Sequence, residues 1–397
     1  MAPRPDRGLA ILLLVLLGGC DRDRPLPPPS PEAPRPLRIV AAGDVLMHED
    51  VKRSGQAHGL PHLFQAVAPL FREADLGLAN LETVIAPRTG GPGAPYVFNA
   101  PAELAPVLRQ AGLTVLATAN NHAYDQGARA MLETLEHLDA AGLKGVGSGP
   151  SREAAEAPVR LKLKGRRVSV FACTDLFNSN LNRRTEGPWV SACDPVHTPA
   201  RVRQERSQAD LVVVSIHWGN EYELKPSSRQ RELARALVAA GADLVVGHHP
   251  HVLQPVERIR AGGREGVVAF SLGNFISNQD RMYRSGRQPV SAGDNRDGAA
   301  LVVSFPKEGA PQVRVVPLWT ENNWIARQSR SDLAPDIRVI PVAQALEGAR
   351  RELEGLEATQ APPADLERVR DRIRLYLERG RRIHHVLGTP SGRAEPS

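Results

Sequence analysis

Asp243-Leu244-Val245-Val246-Gly247-His248-His249-Pro250-His251 runs from a β-branched apolar segment straight into three histidines and a proline. The apolar run has the composition of a strand buried on both faces, as in a central parallel sheet. Gly247 permits a tight exit from that strand, and Pro250 stiffens the loop after it. His249 and His251 stand two apart, so a locally extended backbone would point both imidazoles the same way. Neutral imidazole is the commonest side-chain ligand of zinc and related divalent ions. The bland reading is a polar loop on which histidines happen to cluster.

The same pattern recurs along the chain. Apolar runs at 37–42, 76–79, 114–119 and 211–216 end in Gly43-Asp44, Asn80-Leu81-Glu82, Asn120-Asn121-His122 and His217-Trp218-Gly219-Asn220-Glu221. Helical spacing at 61–74, 101–111, 127–141 and 226–240 separates them, and a Lys164-Gly165 turn joins strands at 159–163 and 167–172. Strands at 252–260, 266–271, 300–305 and 313–317 close the domain. Alternation of this kind predicts a layered α/β domain over 37–341. In such domains sites form at the carboxyl ends of the strands, where loops converge. Each motif alone is also what a turn or a helix cap looks like, but five of them follow five apolar runs.

Taken in order, Gly43-Asp44-Val45-Leu46-Met47, Asn80-Leu81-Glu82, Ala119-Asn120-Asn121-His122 with Asp125 and Gly127, His217-Trp218-Gly219 with Glu221, Gly247-His248-His249-Pro250-His251 with Gln254, and Ser271-Leu272-Gly273-Asn274-Phe275 resemble the CapA-type poly-γ-glutamate capsule biosynthesis proteins. That family looks like a branch of the calcineurin-like metallophosphoesterase superfamily. The resemblance spans roughly 37–318 and implies a four-layer α/β/β/α sandwich. It also implies that Asp44, Glu82, Asn121, His217, His249 and His251 hold one or two divalent ions, Mn, Zn, Fe or Mg. His122, with Asp125, matches the general acid beside the metals. Asn80, Glu221 and His248 are candidates for substrate contact. Two departures stand out: no histidine follows Asp44 at the usual Asp-x-His spacing, the nearest being His48, and Asn80-Leu81-Glu82 replaces the bridging aspartate.

The segment 278–297 is polar and arginine-rich, and is expected to be a mobile loop beside the site. Arg281, Arg284 and Arg287 in it are candidates for an anionic substrate, because a guanidinium donates two parallel hydrogen bonds. The alternative is a solvated surface loop. A formal charge of +6 does not signal nucleic acid: of 50 basic residues only six are lysine, the rest are arginine, and no basic run is interleaved with aromatics.

At the N-terminus, Arg4 and Arg7 precede an apolar run at 9–17 that is too short to span a bilayer, followed by Leu17-Gly18-Gly19-Cys20. This resembles a lipobox, with Cys20 as the lipidated residue, 1–20 as the signal segment and the proline-rich 21–36 as a tether. In an exported protein Cys173 and Cys193 either pair or remain buried thiols. Residues 342–397 alternate acids and arginines at helical spacing, the pattern of a solvated C-terminal extension outside the catalytic core that ends in a disordered tail. The expected protein is a lipid-anchored, extracytoplasmic capsule protein with a metal-dependent hydrolase or transferase site for poly-γ-glutamate or a phosphoester. A non-catalytic polymer-binding subunit beside a capsule synthase or exporter is the alternative, and a general phosphodiesterase or nucleotidase is a third.

Overall fold

The computed structural model describes residues 35–180 and 187–388. Cys20, the signal segment, most of the tether and the end of the tail lie outside the described residues.

Among the described residues the first sheet has eight strands. Ile337–Pro341, Gln312–Asn322, Asp297–Phe305, Leu37–Val45, Leu76–Leu81, Val115–Ala117 and Lys144–Val146 stand side by side, and Asn274–Ile276 pairs with the end of Leu37–Val45. The second sheet has six, in the order Leu253–Ala261, Arg264–Leu272, Leu244–His248, Leu211–His217, Arg166–Thr174 and Val159–Leu163. Leu37–Val45 and its three successors run parallel, as do the four central strands of the second sheet. Parallel strands bring the polar residues at their carboxyl ends to one edge of each sheet.

Because side chains alternate across a strand, each central strand serves two cores. Ile39, Ala41, Leu78 and Leu301 of the first sheet meet Val170, Val213, Val246 and Ala269 of the second. On the outer face of the first sheet, Val40, Ala79 and Leu116 pack beneath Phe64, Phe71, Leu104 and Leu108. On the outer face of the second, Val212, Val214 and Val245 pack beneath Leu233, Leu237 and Val202. This is the four-layer α/β/β/α sandwich that the resemblance implied. Cys173 and Cys193 are bonded, with Cα atoms 5.0 Å apart, and tie the Arg166–Thr174 strand to the segment after Trp189–Val190.

Local expectations fail where proline or crowding intervenes. The helix expected over 61–74 is broken into a 3-10 turn, Leu60–Leu63, and a short helix, Ala68–Arg72. Pro69 cannot donate the bond a continuous helix would need there. Gly247 does not serve as a turn: it stays within the Leu244–His248 strand, and a Cβ on it would lie 2.0 Å from the Phe270 carbonyl oxygen. The glycine lets neighbouring backbone approach closely. His249 and His251 are not extended either. Their φ angles are 94° and 56°, a conformation uncommon for residues with a Cβ.

The C-terminal segment forms two helices, Val342–Ala358 and Pro363–Leu387, which pack on each other, and the second lies on the sheet strands. Its charged face is solvated as expected. Its other face buries Val369, Tyr376, Arg379 and Ile383, and Arg379 is fully inaccessible. The Arg379 guanidinium donates to Asp297 (Nε–Oδ1 2.9 Å), to Asp294 (Nη2–Oδ1 3.0 Å) and to the Val290 carbonyl (2.6 Å), and lies against the Tyr283 and Trp319 rings. Burial alone would lower its pKa, but the Asp297 carboxylate lifts it above the ordinary arginine value. Segment 278–297 is therefore pinned rather than loose. Tyr283, Asp294 and Arg296 are buried and Val290–Arg296 is a 3-10 helix, while Arg281, Met282, Arg284 and the residues from Gly286 to Ser291 are exposed.

Replacing Arg379 with methionine keeps most of the side-chain volume but strips a guanidinium from two buried carboxylates. Breaking such a cluster from one side should destabilise the fold by about 3–5 kcal/mol. Urea denaturation monitored by circular dichroism measures it, and a loss below about 1 kcal/mol, the size of an ordinary surface change, would show that apolar contacts alone dock the helix.

Candidate metal centre

The site forms where the carboxyl ends of the two sheets meet. In the first sheet Asp44 is in register with Asn80 on one side and Asn274 on the other. In the second sheet His217 and His248 are cross-strand partners. Glu82 lies just beyond the Leu76–Leu81 strand, and His249 and His251 just beyond Leu244–His248.

Asp44 is fully buried. Its carboxylate accepts from Asn80 Nδ2 at 2.8 Å and from the His249 backbone N–H at 3.3 Å, with His248 Nδ1 and His251 Nδ1 each 3.3 Å away. Burial would raise its pKa, but the two imidazoles outweigh that and hold it well below the usual carboxylate range. Glu82, equally buried, is pushed well above that range by burial and by the charge of Asp44. Its Oε2 accepts from Asn80 at 3.3 Å, while Oε1 has no hydrogen-bond partner. His217 Nε2 is 3.5 Å and His251 Nε2 3.8 Å from that orphaned oxygen. Burial, followed by neighbouring histidines, lowers the pKa of His217, and burial with His251 lowers that of His249 to about 4. Both imidazoles are therefore neutral at pH 7, the form that binds metal.

Ligand atoms of Asp44, Glu82 and His217 lie within 4.8 Å of one another, and so do those of Glu82, His249 and His251. Glu82 belongs to both groups. Buried polar atoms ordinarily find partners, yet Glu82 Oε1 and His249 Nδ1 have none. Carboxylate and imidazole donors converging with unsatisfied lone pairs are what a divalent cation of the Mn, Fe or Zn type requires.

Other expected site residues fall into two sets. Asn121 Oδ1 bonds His217 Nε2 at 2.9 Å, which makes it an orienting partner of that ring. His122 Nδ1 lies 2.9 Å from Asp125 Oδ2, and the His122 ring packs on Phe98 with centroids 4.7 Å apart. Asn80 is buried inside the cluster, donating to both carboxylates. His248 is buried beside Asp44 and its ring nitrogens make no hydrogen bond. Glu221, Arg284 and Arg287 are exposed. Arg281 lines a cavity beside the cluster that Arg284 and Arg287 do not reach. His48, the histidine nearest Asp44 in sequence, is half-buried against Phe98 with its pKa lowered to about 4, first by burial and then by His251.

Sequence reasoning quoted Asn274 but assigned it no role. Its Oδ1 accepts from His251 Nδ1 at 3.0 Å, and its amide Nδ2 donates to the Asn295 carbonyl at 2.8 Å. Its signal was the same as the others, a polar residue after an apolar run.

The family model for a bacterial capsule synthesis protein, PGA_cap, matches residues 38–279. The chain belongs to that family. Its relatives include the PGA biosynthesis protein CapA of Bacillus subtilis, 33% identical over 71% of this chain and 71% of the relative. The capsule biosynthesis protein CapA of Bacillus anthracis is 30% identical over 82% of this chain and 80% of its own. Among solved structures, the NAD nucleotidase of Haemophilus influenzae is 13% identical over 71% of this chain and 55% of that one, with a TM-score of 0.45. The matched family region contains the whole cluster from Asp44 to Asn274.

Since Glu82 is common to both ligand groups, Glu82→Gln should weaken Mn or Zn binding at both. The expected fall in affinity is at least about 100-fold, the upper end of what losing an outer-shell partner does. Calorimetric titration of metal-stripped protein, with elemental analysis of the purified variant, measures it. A full metal complement in Glu82→Gln would remove Glu82 from the centre.

Proposed function

We propose that this capsule-synthesis family member is an extracytoplasmic, lipid-anchored protein that uses one or two divalent ions to cleave or transfer an anionic envelope polymer, poly-γ-glutamate. The observation that carries the reading is Glu82, a buried carboxylate shared by two ligand groups with one oxygen unpartnered. The names of the relatives, PGA and capsule biosynthesis proteins, support the polymer.

When bound, such an ion supplies Lewis-acid polarisation of a carbonyl or phosphoryl oxygen and an activated nucleophile near neutral pH. The chain's own residues do the rest. Asn121 and Asn274 hold the His217 and His251 rings in orientation. Asp125 accepts from His122 Nδ1, which leaves Nε2 as the atom placed to exchange a proton. Phe98 covers one side of that ring and keeps water from it.

The Asn80 amide favours a second reading. It donates to Asp44 and Glu82 together and so occupies the space between the two carboxylates. A protein with that arrangement could keep the fold and bind polymer beside a synthase or exporter without turnover.

Localisation rests on the Cys20 motif and is supported by the buried Cys173–Cys193 bond, since disulfides persist in oxidising compartments. Among the described residues no helix is long and apolar enough to cross a membrane.

Two variants separate the readings. His249→Ala should lose metal and turnover together, whereas His122→Ala should retain metal and slow turnover by about 10²–10⁴-fold. Metal content, hydrolysis of γ-glutamyl oligomers and phosphoesters, and polymer output in a strain lacking the native copy are the readouts. Unimpaired polymer output from His122→Ala would favour the binding subunit.

For location, Cys20→Ser should release the protein from membranes into the soluble extracytoplasmic fraction. Retention through carbonate washing would refute the lipid anchor.

A further inference from the structure

A cavity of about 940 Å³ lies beside the metal-ligand cluster, and none of its lining residues is a ligand candidate. It borders the cluster through two rings. Phe98 lies against His122, and Tyr222 has its centroid 6.4 Å from that of His251. At its rim stand two tyrosines in backbone conformations that disfavour them. Tyr96, 78% exposed, has φ 62°, and Tyr222, 52% exposed, has φ 65°.

Tyr96 is the sharper case. Ala94 and Val97 exchange backbone hydrogen bonds at 2.8 and 3.0 Å, so Pro95 and Tyr96 form a two-residue turn. Proline followed by a residue of positive φ is a type II turn, whose third position ordinarily takes glycine. Here that position carries a large ring projecting into solvent. A tyrosine in the left-handed region is strained, and an exposed ring gains no packing that would offset the strain.

The third element is Arg281. It lines the same cavity, stacks over Trp324 at 5.2 Å and makes no ion pair with a described residue. The other cations of the wall are already engaged: Lys52 lies 2.9 Å from Glu49, and Arg53 lies 3.3 Å from the same carboxylate. Asp280, also in the wall, accepts from the Asn295 backbone at 2.9 Å.

We propose that this cavity is the tract that holds an extended, amide-linked polycarboxylate chain next to the metal centre, gripped by Tyr96, Tyr222 and Arg281. The proposal rests on the polymer reading above and names the residues that would read it. Methylene groups of such a chain lie against the tyrosine faces, and a carboxylate takes the forked donors of Arg281. The cavity is at the upper end of the roughly 300–1,000 Å³ that encloses a single drug-sized ligand, which leaves room for more than one residue of a chain. A polyphosphate offers no apolar stem to the rings. A mononucleotide would use the rings but not the length.

The test is fluorescence anisotropy with an end-labelled γ-glutamyl oligomer and the full chain at low salt. It compares wild type, Tyr96→Gly with Tyr222→Gly, Arg281→Gln, and His249→Ala. The double tyrosine variant and Arg281→Gln should each bind about tenfold more weakly, the range expected from losing an aromatic contact or a charged donor. Glycine suits both backbone positions, so the double variant should unfold at the same temperature as wild type or higher. Undiminished affinity in the variants, with wild-type binding intact, would overturn the tract and leave the polymer reading standing. A lowered unfolding temperature with unchanged affinity would make the tyrosines packing residues and overturn the tract as well. Preference of wild type for polyphosphate or a nucleoside monophosphate, or no binding of the oligomer, would overturn both. Retained oligomer binding by His249→Ala would support a tract separate from the metal ligands.

Discussion

Asp44 and Glu82 are carboxylates removed from water at the junction of two sheets, and such groups are expensive to bury without partners. The site is shaped by how that expense is met. Asp44 is offset by the Asn80 amide, the His249 backbone N–H and two imidazoles. Glu82 is offset only in part, and its free oxygen faces His217 and His251. The frame must be rigid to hold this arrangement. Gly43 and Gly247 allow backbone to approach where a Cβ would lie 1.8 and 2.0 Å from a carbonyl oxygen. Beyond them, His249 and His251 adopt left-handed conformations, a form of local strain typical of sites whose surroundings over-determine them.

The orientation of His251 reaches far from the centre. Asn274 holds its ring, Asn295 bonds both Asn274 and the His251 carbonyl, and Asp294 precedes Asn295 with Asp297 two residues after it. Arg379, from the C-terminal helix, binds both aspartates. The C-terminal helix and the histidine loop are thus joined through the short chain segment 294–297 and the hydrogen bonds at its two sides. Buried charge networks of this kind are better evidence for a fixed geometry than for net stability. The helix on which the charge pattern suggested only a solvated surface therefore takes part in the packing behind the site.

Much of the site was legible because parallel strands make it so. A strand buried on both faces is a short apolar run, and the residue that ends it is placed at the functional edge of the sheet. Asp44, Glu82, His217, His249 and His251 were found that way, and the structure brings them together. Arg284 and Arg287 were marked by the same charge argument as Arg281, yet only Arg281 faces the cavity. Composition marks a basic loop but not which of its side chains lines a cavity. Arg379 went unnoticed for the same reason, as one arginine among many on a charged helix.

By itself the sequence determined the strand-end motifs and the layered fold, because hydrophobic period and local polar punctuation are properties of adjacent residues, and the order of those motifs carried the family resemblance. Only the tertiary structure decided the sharing of Glu82 between two ligand groups, the pairing of Cys173 with Cys193, the pinning of segment 278–297 and the placement of Tyr96 and Tyr222 at one rim. Each of these depends on distances between residues far apart in the chain. Those distances are set by how two sheets face each other, and no local pattern encodes them.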